Sequence, residues 1–194
     1  MLDPRVFKAY DVRGIYGAEL DEEGAQAIGR AFVEVFEPKR IAVGHDMRLS
    51  SPAMAEAVIA GATEAGAEVL ELGLVGTEMV YFAVGELGLD GGVAVTASHN
   101  PKEYTGMKIV RAGALPVGGE SGLLEIRDRA LADSQGQTQG QTPGRVQTYD
   151  VWHLAHNVRA VLGWTTIRRE SLIREPEYGP AAVELARRAV WSPG

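Results

Sequence analysis

The sequence predicts an α/β fold, a mixed but largely parallel sheet of about four strands layered between helices. Three observations lead there. From residue 20 to residue 95, short apolar, β-branched runs alternate with longer amphipathic segments, the rhythm of an α/β layer. The run at 107–110 follows the run at 93–95 after about ten residues, too few for a crossover helix, so it pairs antiparallel and makes the sheet mixed. Residues 133–144, Asp-Ser-Gln-Gly-Gln-Thr-Gln-Gly-Gln-Thr-Pro-Gly, are polar, glycine-rich and nearly repetitive; they have nothing to bury and read as a flexible linker where the layered unit ends.

Each element has a local cause. Residues 1–17 fix no periodicity and read as irregular, with Pro4, Gly14 and Gly17 as breakers. Residues 20–36 predict a helix: Asp21, Glu22 and Glu23 load the first turn, where the helix dipole favours anions, Ala25, Ile28, Phe32 and Val35 recur on one face, and Pro38 ends it. Ile41-Ala42-Val43 is a strand emptying into a polar loop at 44–51. Ser51 then reads as an N-cap, followed by Pro52 in a position helices tolerate, with Met54, Val58, Ala62 and Ala65 turned inward. Residues 67–72 form the next strand and 77–87 a helix with Val80, Val84 and Leu87 on one side. After the strands at 93–95 and 107–110, residues 118–132 complete the unit as a helix carrying Leu123, Leu124, Ile126 and Leu131.

The organisation is thus a domain over residues 1–132, a linker over 133–149 and a tail over 150–194. The tail differs in kind. It holds all three tryptophans (Trp152, Trp164 and Trp191), its basic residues are arginines alone, and from residue 151 it carries a formal +2 against −9 for the residues before it. Across 194 residues the charge is −7, which gives no global attraction to nucleic acid or anionic lipid, although a local basic pocket can still take a phosphate. The absence of cysteine excludes disulfides and thiolate chemistry. There is neither an apolar stretch of signal-peptide length at the start nor a membrane-length run, so the expectation is a soluble cytoplasmic protein with no nucleic-acid or membrane partner.

The stretch that carries chemistry is 91–109. Val93, Ala94 and Val95 suit a buried strand, and the chain then switches to Thr96-Ala97-Ser98-His99-Asn100-Pro101, with Lys108 in the next apolar run. In an open α/β sheet, ligands bind in the crevice beyond the strand ends. A hydroxyl, an imidazole, an amide and an ammonium gathered there make a candidate nucleophile or phosphate site. From residue type alone, Arg13 reads as a surface salt bridge and Asp46 with Arg48 as a local ion pair bracing a turn.

The string Thr96-Ala97-Ser98-His99-Asn100-Pro101 resembles the phosphoserine loop of the α-D-phosphohexomutases, the phosphoglucomutase and phosphomannomutase family. Phe7-Lys8-Ala9-Tyr10-Asp11-Val12-Arg13-Gly14 resembles that family's N-terminal signature, and Gly44-His45-Asp46-Met47-Arg48-Leu49-Ser50-Ser51 its second block. The likeness covers about residues 3–132, the first domain of a longer family member. It implies a phosphoryl group carried on Ser98, with His99, Lys108 and Arg13 as catalytic partners, and Tyr10, Thr96, Asn100, Asp46 and Arg48 in phosphate binding and loop support. It implies hexose phosphate and hexose bisphosphate as ligands, and Mg2+ reached only through the phosphate on Ser98. Where many members carry arginine this chain has His45, which reads as a structural loop histidine. The family's metal motif Asp-Gly-Asp-x-Asp, its sugar-reading Gly-Glu-Met-Ser-Gly-His and its distal phosphate loop Ser-Gly-Thr-Glu-Pro do not occur in the sequence. Two readings follow: the phospho-acceptor domain of a mutase, cut short by truncation, gene splitting or a frameshift and associating with a separately encoded remainder, or a non-catalytic remnant that binds a phosphosugar or a partner.

Overall fold

In the computed structural model the described residues are 1–133 and 142–149. In chain order they form β1 (Val12–Ile15), α1 (Glu22–Phe36), β2 (Arg40–His45), α2 (Ser51–Glu64), β3 (Glu68–Leu74), α3 (Thr77–Glu86), β4 (Gly91–Val95), β5 (Tyr104–Arg111), β6 (Leu115–Pro116), α4 (Leu123–Asp133) and β7 (Val146–Thr148). Expectations for the tail over 150–194 lie outside these residues. No described helix is long and apolar enough to cross a membrane.

The predicted class holds, and the sheet is larger than the four strands expected: among the described residues it has seven, in the order β1-β5-β4-β2-β3-β7 with β6 beside β5. β2, β3, β4 and β7 are mutually parallel, while β5 runs antiparallel to β4 and β1, as the short connection requires. The additional strands carry too little pattern to read. β1 is four residues with a glycine inside, β6 is two, and β7 presents three exposed residues along the edge of β3. Residues 142–149, read from sequence as linker, therefore return to the sheet: Gly144 N–H donates to Thr63 O at 2.8 Å and Val69 N–H to Arg145 O at 2.7 Å.

Strand alternation sorts the core. Ile41, Val43, Val93, Val95, Met107 and Ile109 point to one face and pack under α1, α2 and α4 through Ile28, Phe32, Met54, Val58, Leu123 and Ile126. Ala42, Leu70, Leu72, Ala94 and Val110 point to the other and pack under α3 through Val80, Ala83 and Val84. Glycine sets the closeness of α1 to α2. A Cβ on Gly29 would stand 2.3 Å from Val58 O, and one on Gly61 would stand 1.9 Å from Gln26 O, so the two backbones touch where any side chain would separate them.

Helix ends follow their residues with one shift. Asp21 caps α1 by accepting from Gly24 N–H at 3.0 Å, and Glu37 closes it in the left-handed region at φ 52°. For α2 the capping position is Ser50 rather than Ser51. Ser51 is the first helical residue, fully buried, and its hydroxyl is committed to Asp46 instead.

α2 leaves β2 on one face of the sheet and α3 enters β4 on the other, although β2 and β4 are neighbours. The switch point of the sheet, where a crevice opens, is therefore at the carboxyl ends of these two strands.

Candidate functional site

The loops leaving β2 and β4 meet at that switch point and are tied together there. Asp46 N–H donates to Val95 O at 2.9 Å and Val75 N–H to His45 O at 2.9 Å, so the segments that leave β2, β3 and β4 are bonded to one another. Thr96 N–H still bonds Gly106 O at 2.9 Å, and beyond it the chain leaves the sheet.

Ser98 stands at the tip of the loop, exposed, with φ 54°. An L-residue with a Cβ is disfavoured in this left-handed region by about 1–2 kcal/mol, so the loop must hold it there. The restraints are visible. Ser98 N–H donates to Thr96 Oγ1 at 2.9 Å. Asn100 donates twice to Ala97 O, from its amide nitrogen at 3.1 Å and from Nδ2 at 2.7 Å. Pro101 keeps Asn100 out of the helical region. The result is a hydroxyl lifted clear of the backbone, with His99 Nδ1 3.3 Å from Ser98 Oγ.

Arg48 fixes the loop from the side. Nη1 donates to Pro101 O at 2.8 Å and Tyr104 O at 3.2 Å, and Nη2 donates to Ser98 O at 2.8 Å and Asn100 O at 2.6 Å. One planar guanidinium thus collects four carbonyls that would otherwise point at one another. Arg48 is itself aimed by Asp46, whose carboxylate lies 3.3 Å from Arg48 Nε and accepts from Arg48 N–H at 3.0 Å and from Ser51 Oγ at 2.5 Å. The local ion pair suggested by residue type is present, and its product is a held loop. His45 Nδ1–H donates to Asp46 O at 2.9 Å, in keeping with a structural histidine.

The two distant cations also come together. Lys108 lies opposite Ala94 and Arg13 opposite Gly106, both on the α3 face of the sheet. Between them is Asp11, 7% exposed, accepting from Arg13 Nε at 2.7 Å and from Lys108 Nζ at 3.2 Å. Tyr81 of α3 faces the same cluster. Its phenol is pushed up by burial first, and then by the negative charges of Glu78 and Asp11. Asp11 and Tyr81 were not singled out in the sequence. Asp11 had a signal, an acid two residues from an arginine in a polar signature, whereas Tyr81 had none. Tyr10, the remaining candidate, is 81% exposed and makes no hydrogen bond to the Ser98 loop.

Chemically, the loop at the switch point offers an exposed hydroxyl with an adjacent imidazole, and the α3 face of β1 and β5 a pair of cations partly neutralised by one carboxylate. Among the described residues no three His, Cys, Asp or Glu side chains gather as a metal site would need.

Comparison with known proteins places the fold in a family. The family model described as Phosphoglucomutase/phosphomannomutase, alpha/beta/alpha domain I, matches residues 4–136. A phosphomannomutase of Salmonella montevideo is 52% identical over 126 residues, 65% of this chain and 28% of that protein. A phosphomannomutase of Klebsiella pneumoniae is 52% identical over 121 residues, 62% of this chain and 77% of its own length. Among solved structures, a phosphoglucomutase/phosphomannomutase family protein from Burkholderia thailandensis superposes with a TM-score of 0.71 at 34% identity, over 84% of this chain and 36% of that one. The chain spans less than a third of the length of the Salmonella relative. With the family model and the fold coinciding over the residues that build the Ser98 loop, the chain belongs to the phosphoglucomutase/phosphomannomutase family.

Proposed function

We propose that this domain presents Ser98 as the phosphoryl-carrying hydroxyl of a phosphomannomutase-type or phosphoglucomutase-type enzyme acting on hexose phosphates. The observation that carries the reading is the left-handed backbone of Ser98 at the tip of a loop held by Arg48. Strain of that kind persists only where surrounding contacts enforce it, and it turns the hydroxyl outward. In the proposed step the bond from phosphorus to Ser98 Oγ breaks as a sugar hydroxyl attacks. The sugar oxygen gives up its proton, Ser98 Oγ takes one, and His99 is placed to hand it over. Reversal from the other phosphate of the bisphosphorylated sugar restores phospho-Ser98 and leaves a moved phosphate. Lys108 and Arg13 supply the positive charge such a transfer needs.

Magnesium belongs to the proposal through the family, and when bound it would neutralise charge on the transferring phosphoryl group. The described residues alone do not fit it: no group of three potential ligands forms among them, and Mg2+ binds weakly without dedicated carboxylates. The described residues by themselves are therefore proposed to give no mutase turnover, the metal and sugar contacts lying outside them.

A chimera tests the reading. Residues 1–132 replace the corresponding segment of the Salmonella montevideo phosphomannomutase, and interconversion of mannose 1- and 6-phosphates is followed. Activity is expected, and Ser98→Ala in the chimera should abolish it. A folded chimera that is inactive, or one that stays active without the Ser98 hydroxyl, refutes the assignment.

A further inference from the structure

Two cations and one carboxylate meet on the α3 face of the sheet, and the carboxylate is the most enclosed of the three. The Asp11 side chain is 9% exposed, while Arg13 and Lys108 are 36% and 29% exposed. Arg13 comes from β1 and Lys108 from β5, antiparallel neighbours, but neither donates to the other strand's backbone; each is oriented through Asp11. Bare guanidinium and ammonium groups in such proximity would repel, and with many rotamers open to each they would turn apart into solvent. The bonds to Asp11 also leave donors over. Arg13 uses one of five N–H groups here and Lys108 one of three. The trio is thus a net +1 cluster with unspent donors, suited to a second, more highly charged anion.

Position points that cluster at the Ser98 loop. Thr96, Gly106 and Arg13 are consecutive across β4's end, β5 and β1, and Ser98 N–H is bonded to Thr96 Oγ1. Gly106 places no side chain between Arg13 and Thr96. From the helix above, Tyr81 of α3 lies within electrostatic reach of Asp11, and Glu78 acts on the same phenol.

Resting on the phosphoserine reading above, we propose that Asp11 is the positioning residue of the phosphoryl site, the buried counter-anion that holds Arg13 and Lys108 together as one cationic clamp for the phosphate on Ser98. Asp11 touches neither phosphate nor sugar; it acts through the two cations. The aligned pair stabilises the dianionic form of the phosphate, and loss of Asp11 disperses them even though it makes the local net charge more positive. That opposition of sign separates positioning from simple electrostatics.

The test uses the full 194-residue chain with phosphoserine genetically encoded at position 98, so that no enzymatic activity is needed. The second ionisation of the phosphate is followed by 31P NMR, with His99 common to every sample. Phosphoserine ordinarily loses its second proton near pH 6. In the parent chain the clamp should hold that value lower by about one unit or more. Asp11→Asn, nearly isosteric, should raise it back by about one unit. In a background lacking both cations, Arg13→Ala with Lys108→Ala, Asp11→Asn should no longer raise the value and, by removing a negative charge, should if anything lower it slightly, a reversal of sign that a purely structural role would not produce. Should Asp11→Asn fail to fold, Asp11→Glu keeps the charge but displaces the clamp by one methylene, and a smaller rise is expected. A value that falls in Asp11→Asn, or does not move, overturns the positioning role. If the parent phosphate titrates at the ordinary value and removing both cations leaves it there, the phosphoryl-site reading itself fails, and the inference about Asp11 falls with it.

Discussion

Removing the Arg48 side chain should loosen the Ser98 loop without unfolding the domain. Arg48→Ala deletes four charge-assisted hydrogen bonds to the carbonyls of Ser98, Asn100, Pro101 and Tyr104, together with the ion pair to Asp46. A hydrogen bond to a charged group is worth about 1.5–3 kcal/mol net, but these are not additive, and two of the four contacts are open enough for water to replace the donor. A local cost of about 2–3 kcal/mol is the consequence, or roughly 30- to 150-fold in the opening equilibrium of the loop. Native-state hydrogen exchange reads this directly at the N–H groups of Ser98 and Asn100, which are bonded inside the loop to Thr96 Oγ1 and Ala97 O. Their exchange should accelerate by that factor, while core amides of β2 and β4 change little. In the chimera used to test function, misplacing Ser98 by about 1 Å should lower the rate by about a hundredfold. Arg48→Lys should recover little, because an ammonium cannot span four carbonyls as a planar fork does. Unchanged protection at Ser98 and Asn100 in Arg48→Ala would refute the claim that this arginine holds the loop.

Three more outcomes follow from particular atoms. Ser98→Gly relieves the left-handed strain at φ 54° but adds unfolded-state freedom, so urea unfolding should find it neutral or up to about 1 kcal/mol more stable, with phosphoryl transfer abolished in the chimera. Gly61→Ala drives a methyl into Gln26 O at 1.9 Å and should cost about 3 kcal/mol, seen as a lower urea midpoint; a loss under about 1 kcal/mol would mean that α1 and α2 separate easily. Hydrogen bonds from the Arg5 side chain and then its backbone hold the Asp3 carboxyl at about 2, below its unfolded value of 3.8. A depressed carboxylate contributes stability above the unfolded value that is lost as pH falls through the folded one, so Arg5→Ala, which removes the side-chain donor but keeps the backbone N–H, should move the Asp3 titration part of the way back toward 3.8 in carboxyl-detected NMR and reduce the pH dependence between those two values.

What the sequence showed and what it withheld divide along a physical line. Periodic burial was legible: Ile28 and Phe32 on α1, Val58 on α2 and Val80 on α3 are buried where the spacing of apolar residues placed them. The antiparallel β5 was legible because a chain of about ten residues cannot cross a sheet. β1, β6 and β7 were not, since two to four residues of mixed polarity contain no period, and their pairing is decided by what lies beside them. The linker reading failed at Val146–Thr148 for the same reason: an edge strand with all its side chains exposed has no hydrophobic signature and is held by backbone bonds to β3.

The site divides in the same way. Ser98, His99 and Asn100 are adjacent in sequence, so a polar string after an apolar strand was enough to locate them. Asp46 and Arg48 were also visible, but only as a pair bracing a turn. That their turn braces another loop depends on β2 and β4 being spatial neighbours, although α2, β3 and α3 lie between them in sequence. Asp11 lies furthest from inspection. Its partner Lys108 is 97 residues away, and only the antiparallel register that sets Val12 against Met107 brings the carboxylate and the ammonium onto one face. A residue that acts by holding two others has no motif of its own, since its function lies in the distances between elements. Such residues become visible only once the sheet order is known, which is why the candidate string around Ser98 was readable and the carboxylate proposed to aim its cations was not.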